Sequence, residues 1–328
     1  MLLLNRQEVE RLLDFDNLVE ALATPMADLS AGLVSMPLRS AAVVPEQEGL
    51  LGIMSAYIPS STALVTKLVS IFPKNANMDL PTHQGVVAVF DAENGGPLAI
   101  MDGASITEIR TAAASALATR ILARPEASVL AVLGTGVQAR AHARGIPHVR
   151  PVKEVRIVGR NEWKARMLAC ALSKELEVPV RAYTTYAAAL DGADIVCATT
   201  HAIDPVVRWE WLGHGVHVNS VGLNPNGREL DDSTVANSLV VVESREAVLA
   251  PYPAGANDLI EPIRDGVISA SHIHAEVGEL ISGKREGRTS AGQMTLYKSV
   301  GVAVQDAVAA HLVMTAARES GIGLDFDV

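Results

Sequence analysis

A buried strand that runs into a glycine turn and out into a helix leaves few folds open to a chain. Here the run SVLAVL, residues 128–133, is followed at once by Gly134-Thr135-Gly136-Val137-Gln138-Ala139 and then by a helical stretch, VQARAHARGI. Gly134 permits the tight turn, Gly136 lets a ligand approach the backbone, and small Ala139 allows close helix–sheet packing. The first free amides of the helix, at Val137 and Gln138, suit a pyrophosphate. Taken alone, GxGxxA is a weak pattern that an ordinary glycine turn also produces. Its setting makes it specific. Downstream, the apolar runs EVRIVGR, DIVCATT, HVNSVG and LVVVES are interspersed with helical stretches such as NEWKARMLACALSKEL. That alternation predicts a doubly wound parallel sheet, an α/β fold of Rossmann type, binding a dinucleotide.

The second predicted strand ends Val158-Gly159-Arg160-Asn161. An Asp or Glu at this point would bind a ribose 2′-hydroxyl. This chain has Arg160 instead, and a guanidinium suits a 2′-phosphate. Asn161 is a candidate helix cap and a second hydrogen-bonding group. A solvated surface arginine is the plainer alternative. The expected cofactor is NADP(H), ahead of NAD(H).

The remaining sequence has another texture. Residues from Asn5 to about Ala31 are predicted helical, with Asn5 and Glu8 at capping-box spacing. From Leu38 to Asp102 come LRSAAVVP, LLGIMSAY, ALVTKLVSIF, GVVAVFD and PLAIMD, separated by turn clusters such as PKNAN and AENGG. This spacing predicts an antiparallel sheet. A helix is expected over about Ser105 to Ala123, and one long Ala/Val-rich helix from Thr295 to about Ser320.

A length of 328 residues fits two domains, and a net charge of −10 argues against nucleic acid or anionic lipid as partner. No run approaches the roughly 18–20 apolar residues of a membrane span. The opening MLLLNRQEVE is too short for a signal-peptide core. The two cysteines, Cys170 and Cys197, lie in separate elements, so a reducing cytoplasm is the expected compartment. His272 with His274, and His214 with His217, invite a metal reading, but no third ligand stands at a suitable spacing, and no metal is expected.

Several stretches, in order, resemble the ornithine cyclodeaminase/mu-crystallin family: LLGIMSAY, VTKLVSIF, LPTHQG, AIMDGASITEIRTAAASALATR, LGTGVQA, HVNSVG, AEVGELISG and TLYKSVGVAVQDAVAA. The resemblance spans about Pro37 to Ala310. It implies a substrate-binding and dimerisation domain of α+β type from residues 1–115 and 295–328, with a Rossmann domain over 116–294. It also implies a homodimer, an active site between the two domains of one subunit, and hydride transfer between a nicotinamide and the α-carbon of an amino or imino acid.

A substrate with a carboxylate beside a C=N bond needs a cationic clamp and a positioned proton donor. Arg39, Lys67 and Arg110 lie in otherwise apolar surroundings. Lys67 sits in the strand ALVTKLVSIF, where it either reaches an edge or faces a pocket that lowers its pKa. The resemblance places Arg39 and Lys67 at the substrate carboxylate, with Lys67 as the acid–base group. Arg110 is either an interdomain ion pair or a contact to substrate or cofactor phosphates. Thr82 and His83 match positions near the nicotinamide and ribose, although His83 alone reads as a turn histidine. Ser220, Val221 and Gly222 match the edge of the nicotinamide pocket. Lys298 and Ser299, at the start of the expected last helix, are candidates to close over the cofactor.

One departure bears on the reaction. Cyclodeaminases and the alanine dehydrogenase of this family carry an aspartate in a VGxD context, where this chain has Val221-Gly222-Leu223-Asn224. An amide orients a substrate but takes no proton at neutral pH. The expectation is therefore an NADPH-dependent reductase of cyclic α-imino acids. The alternatives are an ornithine or lysine cyclodeaminase, an alanine-type dehydrogenase, and a non-catalytic NADPH-dependent binding protein.

Overall fold

The computed structural model describes residues 1–78 and 80–327. The chain divides into two compact units, Met1–Arg110 with Val302–Val328, and Thr111–Gly301. The divisions fall at 110 and 302, where the sequence had placed them at 115 and 295.

The first unit is built on a seven-stranded sheet. In spatial order the strands are Leu324–Asp325, Leu2–Leu4, Pro97–Asp102, His83–Phe90, Ala63–Ile71, Gly49–Ile58 and Ser40–Val44. All five β-rich runs of the sequence are strands here, and neighbours among them pair antiparallel. The opening leucines form a further strand, parallel to Pro97–Asp102. Side chains alternate across the pleat. Met54, Ala56, Val65, Val87 and Val89 are buried, and the helix Ala303–Ser320 packs on the strands that carry them. Its small alanine and valine side chains allow a close approach. On the opposite face Leu51, Ile53 and Val86 remain 41%, 42% and 41% exposed. The N-terminal helical stretch is three helices, Arg6–Leu12, Phe15–Ala21 and Ala23–Ser30. Asn5 and Glu8 form the expected capping box, and Asp14 caps the second helix.

The second unit holds an eight-stranded sheet in which every pairing is parallel. Its order is Ile273–Glu276, Leu239–Val242, Thr295–Lys298, His217–Ser220, Ile195–Ala198, Val129–Leu133, Glu154–Val158, Val180–Tyr183. The central strands are buried on both faces, which explains their unbroken apolar runs. Strand order reverses between Val129–Leu133 and Ile195–Ala198, and in doubly wound sheets such a switch point is where a ligand is expected, outside the carboxyl ends of the strands.

One expectation is corrected. Thr295–Lys298 does not begin the last helix; it is a strand enclosed between His217–Ser220 and Leu239–Val242. The helix starts at Ala303, after Gly301 turns the chain at φ +74°. The Ala/Val-rich composition ran across that break and hid it. No helix among the described residues is long and apolar enough to cross a membrane.

Candidate active site

In the first unit, the chemistry gathers around a carboxylate that the sequence reading missed. Lys67 is 2% exposed, on the same sheet face as its neighbours Met54 and Val87. Its Nζ lies 2.8 Å from both Oδ1 and Oδ2 of Asp306, and it donates to the Thr107 hydroxyl at 3.3 Å. Arg110 donates from Nε to Asp306 Oδ1 at 2.9 Å and from Nη1 to Gln305 Oε1 at 2.7 Å. Its other terminal nitrogen, Nη2, makes no bond among the described residues. Asp306 and Gln305 are fully buried near the start of the last helix. Arg110 thus forms its ion pair within this unit, which corrects the interdomain alternative.

The electrostatics follow from the burial. Desolvation pulls the Lys67 ammonium down to about 7; the Asp306 carboxylate opposes this, and the charges of Arg110 and Arg39 add to it. Burial alone would raise the Asp306 carboxyl, yet Arg110 and Lys67 hold it below its ordinary value. Arg39 is part-buried, and its charge reaches Lys67. A lysine tuned close to neutrality, sharing its carboxylate with Arg110 and within reach of the Arg39 charge, suits both proton transfer and carboxylate binding. Thr82 and His83 share a hydrogen bond of 3.1 Å at the start of the strand His83–Phe90.

In the second unit, the glycine turn has room for a ligand where the sequence asks for one. Gly134 has φ +124°, and a Cβ there would sit 2.6 Å from Thr199 Oγ1. A Cβ on Gly136 would meet no protein atom within 4 Å, so the protein's own packing does not call for glycine at that point. Gly136 begins the helix Val137–Gly145 with no side-chain cap, and Ala139 is buried behind it. An open cradle and an uncapped helix start fit a pyrophosphate. At the next strand end Arg160 is exposed. Burial raises the Tyr186 phenol, and Arg160 lies near enough for its charge to oppose that. Asn161 caps the helix Glu162–Leu172, its Oδ1 accepting from Lys164 N–H at 3.0 Å.

Other candidates have different surroundings from those expected. Lys298 is fully buried at a strand end, 2.8 Å from Asp258 Oδ2, and the Ser299 hydroxyl donates to Glu243 Oε1 at 2.8 Å. Neither stands at a helix start, because the helix begins only at Ala303. Ser220 donates to the buried Glu229, and Val221 N–H to Ala198 O. Asn224 braces its own loop: Nδ2 donates to the carbonyls of His201 and Ala202 at 3.0 and 3.1 Å, and Oδ1 accepts from Asn226 N–H at 2.9 Å. Among the described residues no group of three His, Cys, Asp or Glu side chains is placed to hold a metal.

A family model for the ornithine cyclodeaminase/mu-crystallin family matches residues 1–321. The chain is 36% identical over 325 residues to a Delta(1)-pyrroline-2-carboxylate reductase of Bacillus cereus, covering 98% of both chains. It is 38% identical over 300 residues to the ketimine reductase mu-crystallin of Mus musculus, covering 90% of each. Among solved structures, the Delta(1)-pyrroline-2-carboxylate reductase of Thermococcus litoralis, in complex with NADH and L-proline, superposes with a TM-score of 0.95. That pair is 36% identical, over 99% of this chain and all of the other. The chain belongs to the ornithine cyclodeaminase/mu-crystallin family. Two of these relatives are named as reductases of pyrroline-2-carboxylate, and the third is a ketimine reductase.

Proposed function

We propose that this protein reduces cyclic α-imino acids, such as pyrroline-2-carboxylate or piperideine-2-carboxylate, to the cyclic amino acid, using a nicotinamide nucleotide. The observation that carries the reading is the buried Lys67–Asp306–Arg110 cluster. Arg39 and the open Nη2 of Arg110 bind the substrate carboxylate. Lys67 Nζ, protonated and held by Asp306, delivers its proton to the ring nitrogen and recovers one from water. The apolar sheet face around Lys67 keeps the pair dry, which strengthens both interactions. The Gly134–Gly136 turn with the amides of Val137 and Gln138 would hold the pyrophosphate, and Ser220, Val221 and Gly222 would flank the nicotinamide. When bound, the nucleotide supplies the hydride that the C=N carbon accepts.

Arg160 favours NADP(H) over NAD(H), since no carboxylate stands at this strand end to bind a 2′-hydroxyl and repel a 2′-phosphate. Arg160→Asp should then weaken NADPH binding far more than NADH binding. Equal affinities for the two in the unmodified protein would count against the preference. The apolar sheet face with Leu51, Ile53 and Val86 supports a homodimer, to be checked by light scattering at micromolar concentration. Two free cysteines, Cys170 exposed and Cys197 buried, suit a reducing compartment.

The deciding experiment follows NADPH consumption against five- and six-membered cyclic imino acids, with ammonia release from ornithine and lysine measured in parallel. Imine reduction without ammonia release is expected, because Asn224 supplies no carboxylate. Proline formation from ornithine would overturn that argument. Tight NADPH binding without turnover of any imine would make the protein a binder.

A further inference from the structure

Two carboxylates and an ammonium are buried together at the carboxyl ends of three neighbouring parallel strands, and the proton transfer described above uses none of them. Glu229 is 2% exposed, Asp258 3% and Lys298 0%. Glu229 Oε1 accepts from the Thr200 N–H at 2.6 Å and the Thr200 hydroxyl at 2.8 Å. Its Oε2 accepts from the Ser220 hydroxyl at 2.8 Å and the Gly222 N–H at 2.9 Å. One carboxylate therefore clamps the segment leaving Ile195–Ala198 to the segment leaving His217–Ser220.

Lys298, at the end of the third strand, closes the arrangement. Its Nζ donates to Ser220 Oγ at 3.0 Å and Gly222 O at 2.7 Å, and pairs with Asp258 Oδ2 at 2.8 Å. Asp258 Oδ1 in turn accepts the backbone N–H groups of Glu229 and Leu230, at 2.8 and 3.0 Å. The ring runs from Glu229 to Ser220, Lys298, Asp258 and back to Glu229. It is closely packed: a Cβ on Gly222 would lie 2.2 Å from Thr200 O and 2.4 Å from Glu229 Cδ.

Burying a carboxylate among neutral donors costs more than an apolar core of equal volume. A fully satisfied polar network gives in return a single, rigid geometry. In a doubly wound sheet the two halves each hold one mononucleotide at the carboxyl ends of their strands. The glycine turn occupies the first half, and the three clamped strand ends belong to the second.

We propose that Glu229 is a positioning residue for the nicotinamide mononucleotide half of the cofactor, setting the spacing of the Thr200 and Ser220–Gly222 backbones that receive it. The proposal rests on the second unit being a nicotinamide nucleotide domain, and it is independent of which imine is reduced.

The test uses binding and needs no turnover. Glu229→Gln keeps the size of the side chain and turns one acceptor into an NH2 group facing a donor. Calorimetric titration with NADPH is compared with titration by 2′-phospho-ADP, which has the adenine half and pyrophosphate but neither the nicotinamide nor its ribose. NADH and ADP replace them if NADH binds the unmodified protein more tightly. The expected result is NADPH binding weakened ~10-fold, through lost preorganisation of the two receiving backbones, with the nicotinamide-free ligand unchanged. Thr200→Val, which removes one of the four donors, should show the same pattern at smaller amplitude, and it decides the matter if Glu229→Gln does not fold. Equal weakening of both ligands, or of neither, would overturn the proposal by reducing Glu229 to a general stabiliser. An unmodified protein that bound neither ligand would instead overturn the nucleotide reading, and the positioning role with it.

Discussion

Replacing Asp306 by asparagine removes a charge from the candidate site while keeping its shape, and the consequence can be worked from the geometry. Lys67 Nζ stands 2.8 Å from each carboxylate oxygen. Burial has already brought its ammonium down to about 7, and Asp306 is the anion that resists a further fall. An opposite charge at this range is worth about 1–3 pH units, so in Asp306→Asn the ammonium should lose its proton that much earlier. With Lys67 as the proposed proton donor, imine reduction should be level below pH 7 in the unmodified protein and fall above it. In the variant the falling limb moves to lower pH by about 1–3 units. At pH 7.5 the loss is then about 10- to 1000-fold, and it shrinks as the pH is lowered. The assay is the pH profile of kcat/KM for NADPH-dependent reduction of a cyclic imino acid, with thermal melting to show that the variant folds. A folded variant whose limb stays where it was would refute the coupling of Asp306 to Lys67.

Three further outcomes are expected. The folded-state value of Lys67, about 7, lies below the ordinary 10.5. Its stabilising contribution is therefore present above pH 10.5 and lost as pH falls through 7. The stability of the unmodified protein relative to Lys67→Met should accordingly rise between those limits and stay level outside them, as urea titrations at several pH values would show; a slope of opposite sign would contradict it. Gly134→Ala should lower the melting temperature, because of its φ of +124° and the 2.6 Å approach to Thr199; Gly136→Ala, with open space around its Cβ, should melt normally yet bind NADPH at least ~10-fold more weakly. Asn224→Ala should cost about 1 kcal/mol of stability through its lost loop bonds and less than ~10-fold in imine reduction, against at least ~100-fold for Lys67→Ala; equal losses in the two variants would restore Asn224 to a catalytic role.

What was legible in the sequence was whatever rests on local pattern. The strand before Gly134, the glycine spacing and the alternation after it determined the parallel sheet, because each strand and helix there must bury a face with its own period. The five β-rich runs between Leu38 and Asp102 named their strands for the same reason, and Asn5, Glu8 and Asn161 announced their helix starts through capping chemistry. Lys67 and Arg110 stood out as charges in apolar surroundings. The strand Thr295–Lys298 escaped, because four buried residues beside an Ala/Val-rich helix carry no period of their own. Its place was decided by the sheet, where a gap between His217–Ser220 and Leu239–Val242 takes one more strand.

The partners of the charged residues were beyond the sequence. Asp306 lies 239 positions from Lys67 and 196 from Arg110, and only the packing of the last helix on the first unit's sheet brings the three together. A local signal existed, since Gln305 and Asp306 are the polar pair in the otherwise apolar run VGVAVQDAVAA, but nothing in that run says which cation they meet. The same holds for Glu229, Asp258 and Lys298, which are surface-type residues by composition and buried by topology. A sequence sets which faces must be covered and where turns fall, because those depend on neighbours in the chain. Which buried charge faces which depends on how distant elements close on one another, and there the tertiary structure alone turned an isolated lysine into one that shares a buried carboxylate with a guanidinium group.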